Sequence, residues 1–511
     1  MSAPLVLLNG NIITMDPQDT RAEAVAFDKQ RIVRVGSNKD MDSLIENGWP
    51  SLDLAGKTLL PGFIDTHQHT MLTGLMATAV PLNDVADVAE IVERLRNAVV
   101  QAEKGEWVRG SYLNEQNLVE KRMPSRTELD QASTQHPIYV LHATAHMCSF
   151  NSCALEILKI PRDLEGYDHE GGEPTGVVRD PGILTFVHPA LSRVIPAETK
   201  VSALKKAARM ALKKGITTLH CLDGGDLGPG DTKFILSHRD QLPVRVVCYN
   251  QSMDLNQVRE MGLPRVGGCI CADGAFEAHT AALFEPYTDD PENYGTLTYT
   301  QETMDAFILE AHREGLQIAV HCESERSIEQ VLWGIEKAIK DTPRADHRHR
   351  IEHLELPSSN QLDRMAKAGI MAAMQPAFIP AFIGQEAMEM YERLLGKARL
   401  RRVHPYRTIL DKRIPIAGGS DSPVTPYDPL LGIQAAINHP NQEERVTLRE
   451  ALEMFTSVAA WSAFEEKEKG TIETGKLADL VVLSADPYNV KPRETANIRI
   501  EAVFVGGYMN S

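Results

Sequence analysis

The sequence predicts an α/β fold: a (β/α)8 TIM barrel with a small composite β-sandwich domain from both termini and a long insertion after the first barrel strand. Three observations lead there. An amphipathic helical stretch, a Gly and a short β-rich run with a polar end recur at Val201–Gly215–His220, Met304–Gly315–His321 and Leu362–Gly369–Gln375, the alternation of a parallel α/β architecture. Adding the runs Gly62–Asp65, Val244–Cys248, Gly268–Ala272, Arg350–His353 and Ile414–Ala417 gives eight candidate strands. Their polar ends are spread along the chain rather than gathered at one switch point, which favours a barrel over a doubly wound open sheet.

The elements follow in chain order. Residues 1–57 read as short strands, such as Leu5–Leu8 and Ile12–Thr14, with turns at Asn9-Gly10 and Val35-Gly36. The barrel domain is expected over 58–469. Inside it, the stretch of about 75–200 exceeds any ordinary βα loop and is expected to form a cap. Val201–Lys214 places Val201, Leu204, Ala208, Ala211 and Leu212 on one helical face, and Gly215 can close that helix. The tail 470–511 again has strand-like runs, Ala478–Leu483 and Ala502–Val505, followed by Gly506-Gly507. These are expected to pair with the N-terminal strands.

Composition excludes several functions. Of 511 residues, 43% are hydrophobic and 24% charged, a globular balance, and the net charge of −17 argues against a nucleic-acid partner, which would want a basic face. The start lacks the basic and apolar regions of a secretion signal, and no window reaches the apolar length of a membrane span. A soluble cytoplasmic protein with a small-molecule substrate and no membrane partner is expected, with homo-oligomerisation left open. Seven cysteines without a CxxC pair make a disulfide framework or zinc knuckle a poor fit. Cys221, Cys248, Cys269 and Cys271 lie in apolar runs, where a thiol is ordinarily a small buried hydrophobe.

The sharpest local feature is Pro61-Gly62-Phe63-Ile64-Asp65-Thr66-His67-Gln68-His69. On an extended strand, residues i and i+2 point the same way, so His67 and His69 can reach one metal ion. Three further strand ends finish in His321, His353 and Asp421. Four imidazoles and a carboxylate at C-terminal strand ends form a hydrolytic metal constellation. The ligand types suit zinc first, and also iron or manganese. A bound divalent cation lowers the pKa of its water to about 7, and Asp421 is placed to accept a proton and pass it to a leaving group.

At this point the chain resembles the amidohydrolase superfamily, most closely its amidohydrolase-3 branch, which includes N-substituted formamide deformylases. The matching stretches are PGFIDTHQH from Pro61, HMCSFNSCAL from His146, ADGAFEAHTAALFEPY from Ala272, RHRIEHLEL from Arg348, GGSDSPVTPYDPL from Gly418 and GTIETGKLADLVVLSADP from Gly470. The resemblance implies a metal-dependent barrel hydrolase with one or two divalent ions per chain. By position it implies His67, His69, His321 and His353 as ligands, Asp421 as ligand and catalytic acid/base, and His146 as a substrate-side catalytic histidine.

One departure stands out. Where many relatives carry a carbamylated Lys bridging two metals, this chain has Cys269. A thiol cannot carry a carbamate, so Cys269 either binds metal as a thiolate or is a packed thiol beside a single ion, and Cys271 shares its strand face. His279, where the family usually has Arg, is a candidate substrate contact or a plain loop histidine. His142, His220, His347 and His349 read as structural, and Trp107, Arg109 and Tyr112 could line a pocket. The expected activity is hydrolysis of a C–N bond in an amide, formamide or cyclic amide. Two alternatives stand beside it: a mononuclear deaminase of an amino-heterocycle, whose usual Glu is replaced here by Ser324 between Glu323 and Glu325, and a non-catalytic binding or regulatory protein that retains the barrel.

Overall fold

The computed structural model describes residues 3–225, 227–379 and 384–510. They form two compact units. The first runs through Gln68, takes in Arg209–Leu222 and resumes from Pro243; the second comprises His69–Ala208 and Asp223–Leu242.

All eight expected strands are present: β1 (Phe63–Gln68), β2 (Ile216–Asp223), β3 (Arg245–Asn250), β4 (Arg265–Cys271), β5 (Gln317–Cys322), β6 (Arg350–His353), β7 (Met371–Met374) and β8 (Ile416–Gly418). They hydrogen-bond as two arcs, in the orders β3-β2-β1 and β4-β5-β6-β7-β8. A parallel bridge, Gln68 to Ser422, links β1 to the segment after β8. Among the described residues no ladder joins β3 to β4, so the expected closed barrel is corrected to two arcs of a TIM-barrel-type sheet. The break falls beside a distorted strand. Gly267 and Gly268 in β4 have φ of 97° and 107°, outside extended geometry, and the β4–β5 register slips between Gly267 and Cys271.

The expected helices form with conventional stops. In Ser359–Ala368 the Ser358 side chain accepts from Gln361 N while Gln361 returns a bond to Ser358 N, a capping box. β6 and β7 are buried along their whole length, as parallel strands covered on both faces should be.

Strands from both termini share one core. Leu480–Leu483 runs antiparallel to Thr58–Pro61, with Val481 opposite Leu60, in a six-stranded sheet that also holds Asn11–Ile13 and Ile500–Val505. Phe27, from a separate four-stranded sheet, packs edge-on against Phe504 at 5.7 Å. One expected turn is corrected: Val35-Gly36 ends the strand Arg31–Gly36, and the hairpin turn is Lys29-Gln30. Both residues of that turn have positive φ, 46° and 75°, the geometry of a type I′ turn.

The second unit extends beyond the expected insertion. It has its own six-stranded sheet, in the order Tyr167–Glu170, Glu173–Arg179, Met147–Phe150, Ile138–His142, Val108–Leu113, Val80–Pro81. Ile91 and Leu95 of the helix Val88–Gln101 share a core with Val108 and Val140 from that sheet. Among the described residues no helix is long and apolar enough to cross a membrane.

Candidate metal centre

The centre is assembled from strand ends of the first unit. His67, near the end of the wholly buried β1, has its Nδ1 2.6 Å from Glu352 Oε2. Arg350 grips the same carboxylate, Nε to Oε1 at 2.7 Å and Nη2 to Oε2 at 2.8 Å, and also donates to Thr66 O and the Tyr249 hydroxyl. Arg350, Glu352 and His67 are all fully buried. Burial pushes the Glu352 carboxyl up, but the Arg350 guanidinium and His67 together outweigh it and hold the group below its ordinary range. An ionised Glu352 accepts the Nδ1 proton of His67, which leaves Nε2 as the ring atom that would turn to a metal. That Nε2 lies 3.3 Å from Cys269 Sγ and 3.3 Å from Asp421 Oδ1.

Glu352 and His353 are consecutive and would face opposite ways on a regular strand. His353 has φ 67°, which breaks the alternation, so its ring lies 4.8 Å from that of His67 and 4.4 Å from that of His321. His353 is 3% exposed and neither ring nitrogen has a hydrogen bond among the described residues.

Asp421 is held by a seam between β1 and the turn after β8. Its N–H donates to His67 O at 2.7 Å, Ser420 N–H donates to Asp65 at 3.0 Å, and Thr66 donates its hydroxyl to Gly418 O. A Cβ at Gly419 would fall 2.6 Å from His67 N, so only glycine permits this approach. Burial drives the Asp65 pKa up to about 6 in spite of its bonds from Ser420 and His67.

The ligand-type atoms of Cys269, His321 and His353 lie within 4.8 Å of one another, as do those of His67, His353 and Asp421. Two buried ring nitrogens without hydrogen bonds, inside a set of imidazoles, a thiol and a carboxylate, fit a divalent cation.

A match over residues 51–509 to the Amidohydrolase family covers most of the sequence. The chain belongs to the amidohydrolase family. Over 99% of its length this amidohydrolase is 28% identical to Protein LONG AFTER FAR-RED 3 of Arabidopsis thaliana, covering 91% of that protein. Over 99% it is 26% identical to N-substituted formamide deformylase of Arthrobacter pascens, covering 98% of that enzyme. The crystal structure of an uncharacterized metal-dependent hydrolase from Pyrococcus furiosus superposes with a TM-score of 0.81 at 25% identity, over 95% of this chain and 100% of that one.

The remaining expected site residues of this amidohydrolase are placed as follows. His69 opens the second unit as the N-cap residue of the helix Thr70–Ala77. His146, also in the second unit, has Nδ1 2.5 Å from Asp180 Oδ2 and a half-exposed side chain. His279 sits at φ 56°, with Nε2 3.1 Å from Asp289 and its ring against Tyr287. Cys271 Sγ turns to the Cys269 carbonyl and Cys269 Sγ to His67. His347 and His349 are hydrogen-bonded packing residues, through Ala368 O and through His312 and Ile318 N. His220 lies inside β2 rather than at its end, beside Arg350. Trp107 packs on Tyr139, and Arg109 caps the Leu75 and Thr78 carbonyls. Sequence reasoning missed the Arg350–Glu352 pair. Its signal was two opposite charges at i and i+2, on one face of the short strand Arg350–His353, where burial would demand that they pair.

Proposed function

We propose that the chain is a metal-dependent hydrolase that cleaves the C–N bond of an amide, formamide or cyclic amide. The observation that carries this is the juxtaposition of His67 Nε2, Cys269 Sγ and Asp421 Oδ1, backed by the Arg350–Glu352 clamp. A separate domain built from the terminal β sheets is part of the same reading. So are a cytoplasmic location and a small-molecule substrate.

His67, His321, His353 and Cys269 would hold the cation, with His69 added on its sequence spacing alone, and the imidazole and thiolate donors favour zinc. When bound, such an ion supplies a Lewis acid and lowers the pKa of a water. Asp421 accepts a proton at Oδ1 from the attacking water and returns it to the departing nitrogen, while its backbone bond to His67 O keeps that oxygen in register with the ligands. His146 and His279 are proposed as substrate-side groups. Ser324, where the deaminase reading needs a Glu, donates its hydroxyl to Asp273 at 2.8 Å, and Glu325 pairs with Arg402. This counts against the deaminase.

The test is turnover of a formamide, lactam and amino-heterocycle panel by metal-loaded and chelated protein. The reading expects a new carboxylate and a free amine, lost on chelation. Ammonia release from the heterocycles alone, or no turnover with metal bound, would overturn it.

A further inference from the structure

Arg350 is the hub of the clamp behind His67, and every one of its N–H groups is engaged. Nε and one Nη2 hydrogen go to Glu352, and the other Nη2 hydrogen goes to Thr66 O at 2.8 Å. Nη1 divides between the Tyr249 hydroxyl at 2.9 Å and His220 Nδ1 at 3.3 Å. Thr66, His220 and Tyr249 belong to β1, β2 and β3, the strands of one arc, whereas Arg350 and Glu352 belong to β6 of the other. The guanidinium thus bridges two arcs that, among the described residues, no ladder joins at β3 and β4.

Tyr249 is itself held from the far side of that seam. Gln317 of β5 donates its Nε2 to the Arg348 and Ser462 carbonyls, both at 2.7 Å. A carbonyl oxygen only accepts, so both Nε2 hydrogens are committed and Oε1 is the acceptor that faces the Tyr249 hydroxyl at 2.9 Å. The phenolic proton therefore goes to Gln317, and the lone pairs of the same oxygen are left for Arg350 Nη1. Arg265 of β4 adds a second tie, its guanidinium carbon 5.4 Å from the centre of the Tyr249 ring, a cation–π distance. Tyr249 and Arg350 are 0% exposed and Gln317 2%, so water cannot readily replace a partner lost from this chain of bonds.

We propose that Tyr249 is a positioning residue for the metal centre. Its hydroxyl bolts β3 to β5 across the seam and sets the Arg350 guanidinium, which orders Glu352 and through it His67. The effect on metal rests on the metal-dependent reading above; the bolt across the seam does not.

Tyr249→Phe keeps the ring and its packing and deletes the hydroxyl, which leaves one Arg350 N–H and Gln317 Oε1 unpartnered together. Two measurements on the full chain test the role. In a competitive zinc titration against a chelator of known affinity, metal affinity is expected to fall about three- to tenfold, less than the about 10- to 100-fold ordinarily lost with a group that touches a ligand directly. In hydrogen exchange of the metal-free protein, read by mass spectrometry, the amides of Arg245–Asn250 and Arg265–Cys271 are expected to exchange about tenfold or more faster, while those of β7, away from the seam, keep their rates.

Thr456→Val is the control. It removes a different buried hydroxyl bond, to the Leu452 carbonyl at 2.7 Å, and should move neither readout. Gln317→Met removes the acceptor and leaves Tyr249 in place; it should shift both readouts in the same direction, and it carries the comparison if circular dichroism shows Tyr249→Phe unfolded. Unchanged exchange at the two strands of a folded Tyr249→Phe overturns the bolt. Zinc affinity within about twofold of wild type, or an equal loss in Thr456→Val, overturns the positioning role. If the wild-type chain binds no zinc, the metal reading fails, while the exchange rates still judge the bolt.

Discussion

Replacing Glu352 by Gln tests the metal centre at the point where geometry is most constrained. Gln keeps the size of the side chain and leaves Oε1 accepting from Arg350 Nε. It puts an NH2 where Oε2 now accepts from both Arg350 Nη2 and His67 Nδ1, at 2.8 and 2.6 Å. Two donors then face a third, so His67 relieves the conflict by moving its proton to Nε2, the atom aimed at Cys269 and Asp421. Loss of such an orienting carboxylate ordinarily lowers metal affinity about 10- to 100-fold, or about 1.4–2.7 kcal/mol. The buried Arg350 also loses its counter-charge, and breaking a fully buried pair costs about 3–5 kcal/mol of stability. The assays are competitive metal titration against a chelator of known affinity and urea unfolding of the metal-free protein. Metal affinity within about twofold of wild type, in a variant with native circular dichroism, would refute the assignment of Glu352 as the group that sets the His67 tautomer.

Four further outcomes are expected. Asp421→Asn keeps its metal but loses about 10²–10⁴-fold in kcat, the usual contribution of a positioned proton-transfer group; full turnover with metal bound contradicts the role. Metal content per chain in Cys269→Ser beside wild type separates a thiolate ligand, for which two ions fall to one or none, from a packed thiol, for which one ion remains in both. Gly419→Ala forces a methyl to within 2.6 Å of His67 N and is expected to lower stability by about 1–3 kcal/mol in denaturant unfolding, as overpacking does. His404 is held neutral with a folded pKa of about 3 against about 6.5 when unfolded. It costs nothing at pH 7, and as pH falls through the unfolded value only the unfolded state gains its proton. Its share of the stability loss is therefore about 2 kcal/mol by pH 5, and unfolding at the two pH values should lose that increment in His404→Gln.

Much of the fold was legible because parallel strands buried on both faces leave continuous apolar runs, and all eight were found at nearly their observed positions. The open seam beside β4 was not legible, since it depends on the φ of Gly267 and Gly268, which composition does not reveal. The candidate ligands could be read from strand-end histidines. The clamp behind them left only a faint signal, the i and i+2 spacing of Arg350 and Glu352, because the two look like solvated charges until the register places them under His67. The choice between Cys269 and Cys271 was equally open to a period-two argument, as both share a face; the distorted backbone of β4 aims only Cys269 at His67. The buried contact between Glu355 and His404 was invisible for another reason. Its members lie 49 residues apart in sequence and make no motif.

The hydrogen bond from Asp421 N to His67 O joins residues separated by more than 350 positions. During synthesis the ribosome must release the chain well past Asp421 before β1 acquires this neighbour, so an emerging chain carries its early histidines without the segment that fixes them. On the proposed metal reading, a chain truncated shortly before Gly419 should purify with little or no bound metal even if its helices form.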